Sequence, residues 1–316
     1  VYKRQDNNNP EMTKQLGSLL GKNPEILGVV GPYSSDASLV AGEAYRQEQL
    51  VAISPISTSV KLSNFSPYFF RTVPNDTVAA EALANYAIDQ LQVKKAAIFF
   101  NSKSAYSQSL KSEFLLALSQ RGGRLVTTID LSDPNFDAGK SIKIAEENGA
   151  ELLMLAPNTL MLDKALEVVK ANNQKLPMLA GDDVLQAKTR AIGGQDAEGM
   201  ILASPWYSDS DSTSDFQTRA QTLWGEEVEW RAALAYDATQ ALVAAMTNNP
   251  TREGIRQTLG VFGFTANGAS DTVSFLPSGD RLADVELVRL VASPNDQYGY
   301  KFIPLSKQPD NSKVKP

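Results

Sequence analysis

The sequence predicts an α/β protein built from two doubly wound parallel sheets. Short, continuous apolar runs recur along the chain, and runs without polar alternation are typical of strands that are covered on both faces. Segments with helical periodicity lie between these runs, and such alternation favours parallel sheets with crossover helices. A chain of 316 residues is longer than one such sheet requires, so we expect two lobes.

The first helix has a clear start signal, because Asn9 is a suitable N-cap and Pro10 suits the first helical position. Met12, Leu16, Leu19 and Leu20 make one apolar stripe along this helix. The predicted buried strands are 26–30, 50–53, 95–100, 152–155, 177–180 and 200–203. The further predicted helices lie around residues 76–91, 110–118 and 230–245.

Extended, Pro-bearing segments mark the expected crossovers between the lobes. Two of them are residues 70–75 and 203–206, and a third follows the β-like stretch 272–275 and the turn 277–280. The predicted boundaries assign 1–75 and 207–283 to lobe 1, 76–206 and 284–305 to lobe 2, and 306–316 to a flexible tail or linker.

Composition excludes several classes of function. The chain contains no Cys and no His, which excludes thiolate nucleophiles, Cys/His zinc sites and Ser-His-Asp triads. With 30 basic and 36 acidic residues, the net charge of −6 argues against nucleic acid as a partner. No apolar run reaches the ~20 residues that a membrane helix needs. The sequence also lacks glycine-rich nucleotide motifs and metal-ligand spacings.

Two hydroxyl-rich loops follow consecutive predicted strands. Residues 31–36 come after the strand 26–30, and residues 54–59 come after the strand 50–53. Ligands of open α/β sheets lie beyond the carboxyl ends of the strands, so these loops suit a small anion such as a carboxylate. The alternative is that Ser34, Ser35 and Asp36 are helix caps and that Ser57-Thr58 forms an ordinary turn.

Three further side chains have both a binding and a structural interpretation. Asp182 follows the strand 177–180 and either faces an ammonium group or caps a helix. Tyr106 has the pattern of an exposed residue at a strand-end loop and either contacts ligand or only packs. Arg71 is able to bind an anion, but we expect a structural ion pair.

The segments Gly28–Ser35, Ile53–Thr58 and Phe70–Asp76 resemble type I periplasmic binding proteins, and in particular the leucine/isoleucine/valine-binding branch. The resemblance extends from about residue 6 to residue 304. It implies two Rossmann-like lobes, joined by three crossovers, that close on a ligand like a hinge. It also implies an N-terminally truncated chain, because the family's first strand and first helix have no counterpart here.

The resemblance further implies a set of ligand-binding residues. Ser35 and Thr58, with the backbone N–H of Ile56 and the adjacent Ser57, would hold a ligand α-carboxylate. Asp182 would bind the α-ammonium group, and Tyr106 would line the opposing lobe. Asn158 stands where branched-chain binders have an aromatic residue, which argues against a purely apolar pocket. Trp230 is a weaker candidate for the pocket wall.

The function implied is an extracytoplasmic, non-enzymatic receptor that captures an amino acid in the inter-lobe cleft and delivers it to the membrane permease of an ABC importer. No cofactor or metal is expected, and the particular amino acid is left open. The alternative is the ligand-sensing domain of a membrane receptor or kinase, with a fused signalling domain. An α/β enzyme would lack the usual catalytic groups, and a sugar-responsive repressor of this fold would need an upstream DNA-binding segment.

Overall fold

The computed structural model describes residues 2–207, 214–225, 228–247, 249–269 and 271–307. In chain order the helices are α1 (Pro10–Lys22), α2 (Ser35–Gln47), α3 (Asp76–Asp89), α4 (Ala105–Gln120), α5 (Ala138–Glu147), α6 (Leu162–Asn172), α7 (Ser214–Trp224), α8 (Trp230–Met246) and α9 (Arg252–Leu259). The strands are β1 (Gly28–Val30), β2 (Val51–Ser54), β3 (Phe69–Arg71), β4 (Lys95–Phe100), β5 (Arg124–Asp130), β6 (Leu152–Ala156), β7 (Met178–Ala180), β8 (Ile201–Ser204), β9 (Ala266–Gly268), β10 (Asp271–Val273), β11 (Glu286–Ala292) and β12 (Tyr300–Pro304).

The chain forms two compact units. Unit 1 consists of Val1–Asp76 and Pro205–Asp284, and unit 2 consists of Thr77–Ser204 and Val285–Pro316. The predicted flexible tail, 306–316, begins inside a 3₁₀ turn, Leu305–Lys307, and residues 308–316 lie outside the described residues. None of the helices in the described ranges combines the length and apolar character needed to cross a membrane.

Unit 1 is organised around a parallel three-stranded sheet in the order β1-β2-β3. Strand β2 is fully buried, because α8 and α9 contribute to a core cluster with Val51 and Ile53, while α2 contributes to another with Leu50 and Ala52. The prediction of a parallel α/β sheet is confirmed here. The prediction that β1 is buried is wrong, because Val30 is 40% exposed. Strand β1 lies at the end of this sheet and pairs with β2 alone among the described strands.

Helix α1 begins as predicted, with the Asn9 side chain accepting a hydrogen bond from the N–H of Met12. Its apolar stripe is buried only in part, because Leu20 packs against a core cluster whereas Leu19 is 58% exposed. The buried residues of α1 are instead Thr13, Gly17 and Gly21. A Cβ at Gly17 would lie 3.1 Å from the Cα of Ala41 in α2, so the small residues let the two helices approach closely.

Unit 2 contains a seven-stranded sheet in the order β12-β11-β8-β7-β6-β4-β5. The five strands from β8 to β5 are parallel, whereas β11 and β12 are antiparallel additions at one end. Helices α3 and α4 cover one face, where Leu83 and Phe114 pack on Ile98 and Met154. The carboxyl ends of the parallel strands therefore meet at a single edge, to which the loops after β4, β6 and β7 belong.

Candidate functional site

Two loops of unit 1 are tied together at the carboxyl ends of β1 and β2. We refer to residues 31–35 and 54–59 together as the hydroxyl edge. The hydroxyl of Ser54 donates to the carbonyl of Pro32 at 2.8 Å, and the hydroxyls of Ser38 and Ser57 share a hydrogen bond of 2.8 Å. These bonds fix the two loops against each other, so the edge is preorganised.

The structure separates the roles of Ser34 and Ser35. Ser34 is the N-cap of α2, and its side chain accepts from the N–H of Ala37, as the capping interpretation predicts. The hydroxyl of Ser35 instead accepts from the N–H of Ser59 at 3.1 Å. Ser35 is 2% exposed, and its hydroxyl hydrogen remains to be donated to a further acceptor.

Thr58 differs from its neighbours on the hydroxyl edge. Its Oγ1 is buried and, among the described residues, has no hydrogen-bond partner. The N–H of Ile56 reaches Ser54 Oγ at 3.4 Å, and the N–H of Ser57 donates to the same oxygen at 3.1 Å. A buried, unpaired hydroxyl costs about 1–3 kcal/mol, so its presence needs a compensating use.

Trp230 stands at the start of α8 and is 2% exposed. Its indole N–H is, like the hydroxyl of Thr58, a buried donor of unit 1 with no hydrogen-bond partner within the described part of the chain. The guanidinium of Arg231 lies 4.4 Å from the Trp230 ring centroid, and its Nε donates to the hydroxyl of Tyr33 at 3.1 Å. The contact with Tyr33 connects the start of α8 to the hydroxyl edge.

The prediction of a structural ion pair at Arg71 is confirmed. Arg71 is fully buried in unit 1, and its Nη2 lies 2.6 Å from Oδ1 of Asp280. Burial lowers the pKa of the Arg71 guanidinium, and the charge of Asp280 opposes that shift. The pairing offsets the large desolvation cost of a buried charge.

In unit 2, Tyr106 and Asp182 come together across 76 residues of sequence. The Tyr106 hydroxyl donates to Oδ1 of Asp182 at 2.5 Å. Tyr106 is 6% exposed, so the expectation of an exposed tyrosine is wrong. Asp182 is itself buried and begins a short 3₁₀ turn after β7, with Gly181 at the N-cap position.

Gly181 permits the pairing of Tyr106 with Asp182. A Cβ built on Gly181 would lie 2.4 Å from the Tyr106 hydroxyl and 2.4 Å from Cδ2 of Leu110. No side chain fits there without displacing one of these groups, so the requirement for glycine is steric. The sequence offered no signal for this approach, because it depends on how α4 packs over the end of β7.

Asn158, which follows β6, accepts a hydrogen bond from the side chain of Asn101 at 2.9 Å. Asn101 is 3% exposed and follows β4, and its backbone N–H donates to the hydroxyl of Ser107 at 2.6 Å. Ser107 in turn donates to the carbonyl of Ala156 at the end of β6. Sequence reasoning missed Asn101, although Asn101 follows a buried strand just as Asp182 does.

We refer to Asn101, Tyr106, Asn158 and Asp182 as the acidic edge of unit 2.

The two edges have complementary chemistry. The hydroxyl edge offers hydroxyl donors beside the N-terminus of α2, where the helix dipole favours an anion. The acidic edge offers a buried carboxylate, which favours a cation. In the described part of the chain, no cluster of three or more Cys, His, Asp or Glu side chains is arranged to hold a metal ion.

Comparisons with known proteins identify the family of this chain. The periplasmic binding protein family matches residues 1–291. The leucine-specific-binding protein of Salmonella typhimurium is 24% identical over 256 residues, which cover 79% of this chain and 67% of that protein. The chain therefore belongs to the periplasmic binding protein family.

Solved structures share the fold at low sequence identity. The leucine-binding protein of Thermotoga maritima superposes with a TM-score of 0.81 at 18% identity, covering 95% of this chain and 85% of that one. A solute-binding protein of an ABC transporter from Rhodopseudomonas palustris, solved with 3,4-dihydroxybenzoic acid, gives 0.80 at 16% identity, covering 96% and 84%. These likenesses show that the fold is shared.

Proposed function

We propose that this chain is an extracytoplasmic receptor for an amino acid and that it supplies an ABC importer. The observation that carries the proposal is the buried hydroxyl of Thr58, which lacks a partner among the described residues. Relatives named for leucine binding and for ABC transport support the amino-acid class and the importer. The family's description supports an extracytoplasmic location. These relatives are named as binding proteins, which supports a non-enzymatic role.

In this proposal the hydroxyl edge binds the ligand's carboxylate. Ser35 retains a hydroxyl hydrogen after accepting from Ser59, and Thr58 retains its whole hydroxyl. Hydrogen bonds from such donors to a charged carboxylate contribute about 1.5–3 kcal/mol each. The ligand then satisfies the buried hydroxyl of Thr58. Ser57 and the N–H of Ile56 already bond within the edge, so we assign them to shaping it.

The acidic edge binds the ammonium group. Asp182 is buried and receives the Tyr106 hydroxyl on Oδ1. A bound ammonium would place an opposite charge beside this buried carboxylate, and charge-assisted hydrogen bonds of this kind are strong. Tyr106 fixes the orientation of the carboxylate and lines the same edge.

In this proposal Asn158 and Trp230 lie beside the ligand's side chain. The bond from Asn101 makes Asn158 part of a polar pair, so a side chain with a hydrogen-bonding group is accommodated beside it. The indole N–H of Trp230 lacks a described partner and supplies a further donor. This set accommodates a side chain with a hydrogen-bonding group besides the aliphatic side chain of leucine, for which relatives are named.

A carboxylic acid without an amino group is the competing ligand class, since the R. palustris protein of this fold was solved with 3,4-dihydroxybenzoic acid. A thermal-shift screen of the full chain against the twenty amino acids and 3,4-dihydroxybenzoate separates the two. A ligand at about 100 times its Kd stabilises the folded state by about 2.7 kcal/mol. We expect at least one amino acid to raise the Tm, and stabilisation by the aromatic acid alone would refute the proposal.

A further inference from the structure

Arg71 connects its ion pair to the loop that carries Thr58. Its Nη1 donates to the carbonyl of Ser57 at 3.0 Å and to the carbonyl of Ser59 at 2.8 Å. Its Nη2 donates to the hydroxyl of Ser63 at 2.7 Å, and its Nε donates to Asp280 at 2.7 Å. The guanidinium thus holds the residues on both sides of Thr58.

These bonds determine how the peptide groups of the loop are oriented. The carbonyl of Ser57 and the N–H of Thr58 belong to one peptide group, which is planar and trans, so the two bonds point in opposite directions. Fixing the carbonyl on Arg71 therefore turns the N–H of Thr58 away from the guanidinium. A hydrogen bond to the carbonyl also polarises the N–H of the same peptide and makes it a better donor.

Other bonds immobilise the rest of the loop. The carbonyl of Thr58 accepts from the N–H of Asp76 at 2.9 Å, and the N–H of Ser59 donates to Ser35. Among the described residues, no hydrogen bond engages the hydroxyl of Thr58. The backbone of the loop is thus held on both sides of Thr58, whereas the Thr58 hydroxyl has no hydrogen-bond partner among the described residues.

Arg71 is itself held from the turn that follows β10. The carboxylate of Asp280 also accepts from the hydroxyl of Ser278 at 2.9 Å and from the side chain of Asn75 at 3.3 Å. The backbone N–H of Arg71 donates to the carbonyl of Gly279 at 3.0 Å. Gly279 has a φ of +83°, and a Cβ there would lie 2.3 Å from the carbonyl oxygen of Phe69, so the turn packs directly on β3.

We propose that Arg71, backed by Asp280, is the positioning residue for carboxylate recognition in unit 1. It does not touch the ligand but orients the Thr58 peptide and hydroxyl toward the carboxylate. This inference rests on the proposed amino-acid function. It predicts that disturbing Arg71 weakens recognition of the carboxylate more than recognition of the rest of the ligand.

The test is Arg71→Lys, which retains the charge but lacks the planar fork that reaches several acceptors. The probes are L-leucine and L-leucinamide, which differ at the carboxylate, and the measured quantity is the ratio of their Kd values by calorimetry. We expect the leucine affinity to fall about tenfold or more, as for a loss of 1.4 kcal/mol, and the leucine-to-leucinamide preference to shrink with it.

Arg252→Lys is the matched control. Arg252 is another arginine of unit 1 that donates to backbone carbonyls, those of Gly21, Asn23, Ile26 and Glu48. None of these acceptors belongs to the hydroxyl edge. The control should lower the Tm while leaving the leucine-to-leucinamide preference of the wild type unchanged.

Asp280→Asn is the second variant, because it keeps the size of the side chain and removes only the charge that backs Arg71. It should reduce the leucine-to-leucinamide preference by a smaller factor. A folded Arg71→Lys or Asp280→Asn variant with the wild-type preference would overturn the positioning role. Wild-type protein that binds none of the twenty amino acids would instead refute the proposed function.

Discussion

Replacing Thr58 by Val separates the stability of the protein from its affinity for ligand. Val has nearly the shape of Thr but carries no hydroxyl. Because the hydroxyl of Thr58 is buried and lacks a partner among the described residues, its removal should stabilise the unliganded protein by about 1 kcal/mol or more. For units of this size we expect the Tm to rise by about 2–4 °C per kcal/mol.

The same substitution should weaken ligand binding. A hydrogen bond to a carboxylate is worth about 1.5–3 kcal/mol, which corresponds to a loss of affinity of roughly tenfold to one-hundredfold. Differential scanning calorimetry of the unliganded protein measures the first effect, and isothermal titration with L-leucine measures the second. Opposite signs for stability and affinity are the signature of a group kept for binding.

Thr72→Val is the matched control for this experiment. Thr72 is also buried in unit 1, but its hydroxyl donates to the carbonyl of Leu234 at 2.9 Å. Its replacement should lower the Tm, because it leaves the Leu234 acceptor without that bond, and should leave the affinity unchanged. If Thr58→Val destabilised the protein as Thr72→Val does and left leucine binding intact, the reasoning about Thr58 would be refuted.

Three further predictions concern unit 2. Asp182→Asn should reduce amino-acid affinity at least one-hundredfold in a titration, because breaking a buried charge pair costs about 3–5 kcal/mol; an unchanged Kd would exclude Asp182 as the ammonium partner. Gly181→Ala should weaken binding by displacing the Tyr106 hydroxyl, whereas Gly139→Ala, where the added Cβ would make only an ordinary 3.5 Å contact with Asp137, should not. The third prediction concerns Asp130, whose pKa is lowered from 3.8 to about 2. Burial acts to raise this pKa, but hydrogen bonds from Ser102 and Ser132 lower it by more. The stability it provides is therefore present above pH 3.8 and lost toward pH 2, and Asp130→Asn should flatten that part of a urea-unfolding pH profile; an unchanged slope would contradict it.

A continuous apolar run is the clearest sequence signal of a strand whose burial is uniform. Strands β2, β6 and β8 are buried at every position, so their sequences are continuous apolar runs. Strand β5 is intermediate or exposed throughout because it forms the edge of the sheet. Strand β11 alternates between buried and partly exposed residues. A search for continuous apolar runs finds neither of these.

Helix α1 shows a different limit of sequence reasoning. Hydrophobic periodicity selected the face with Leu19, but the buried face carries Gly17 and Gly21. A tight helix contact is stabilised by close approach of the backbones, and glycine contributes nothing to an apolar stripe. Periodicity located the helix and its start, while its orientation depended on α2.

The candidate site could likewise be predicted only in part. The loops after β1 and β2 were recognisable, because hydroxyl residues directly follow strands. The sequence did not reveal that Ser34 caps α2 while Ser35 accepts a hydrogen bond from Ser59, because that difference depends on how the two loops are placed. The pairing of Tyr106 with Asp182 likewise links residues far apart in sequence.

The central claim is that unit 1 recognises a carboxylate while unit 2 recognises an ammonium group. Isothermal titration of the full chain with L-leucine, L-leucinamide and 4-methylpentanoic acid tests it directly, because each analogue lacks one of the two groups. We expect leucine to bind measurably and either analogue to bind with an affinity at least tenfold lower. Each analogue lacks a group whose charge-assisted hydrogen bonds contribute about 1.5 kcal/mol or more. Equal affinity for leucine and for either analogue would contradict the account.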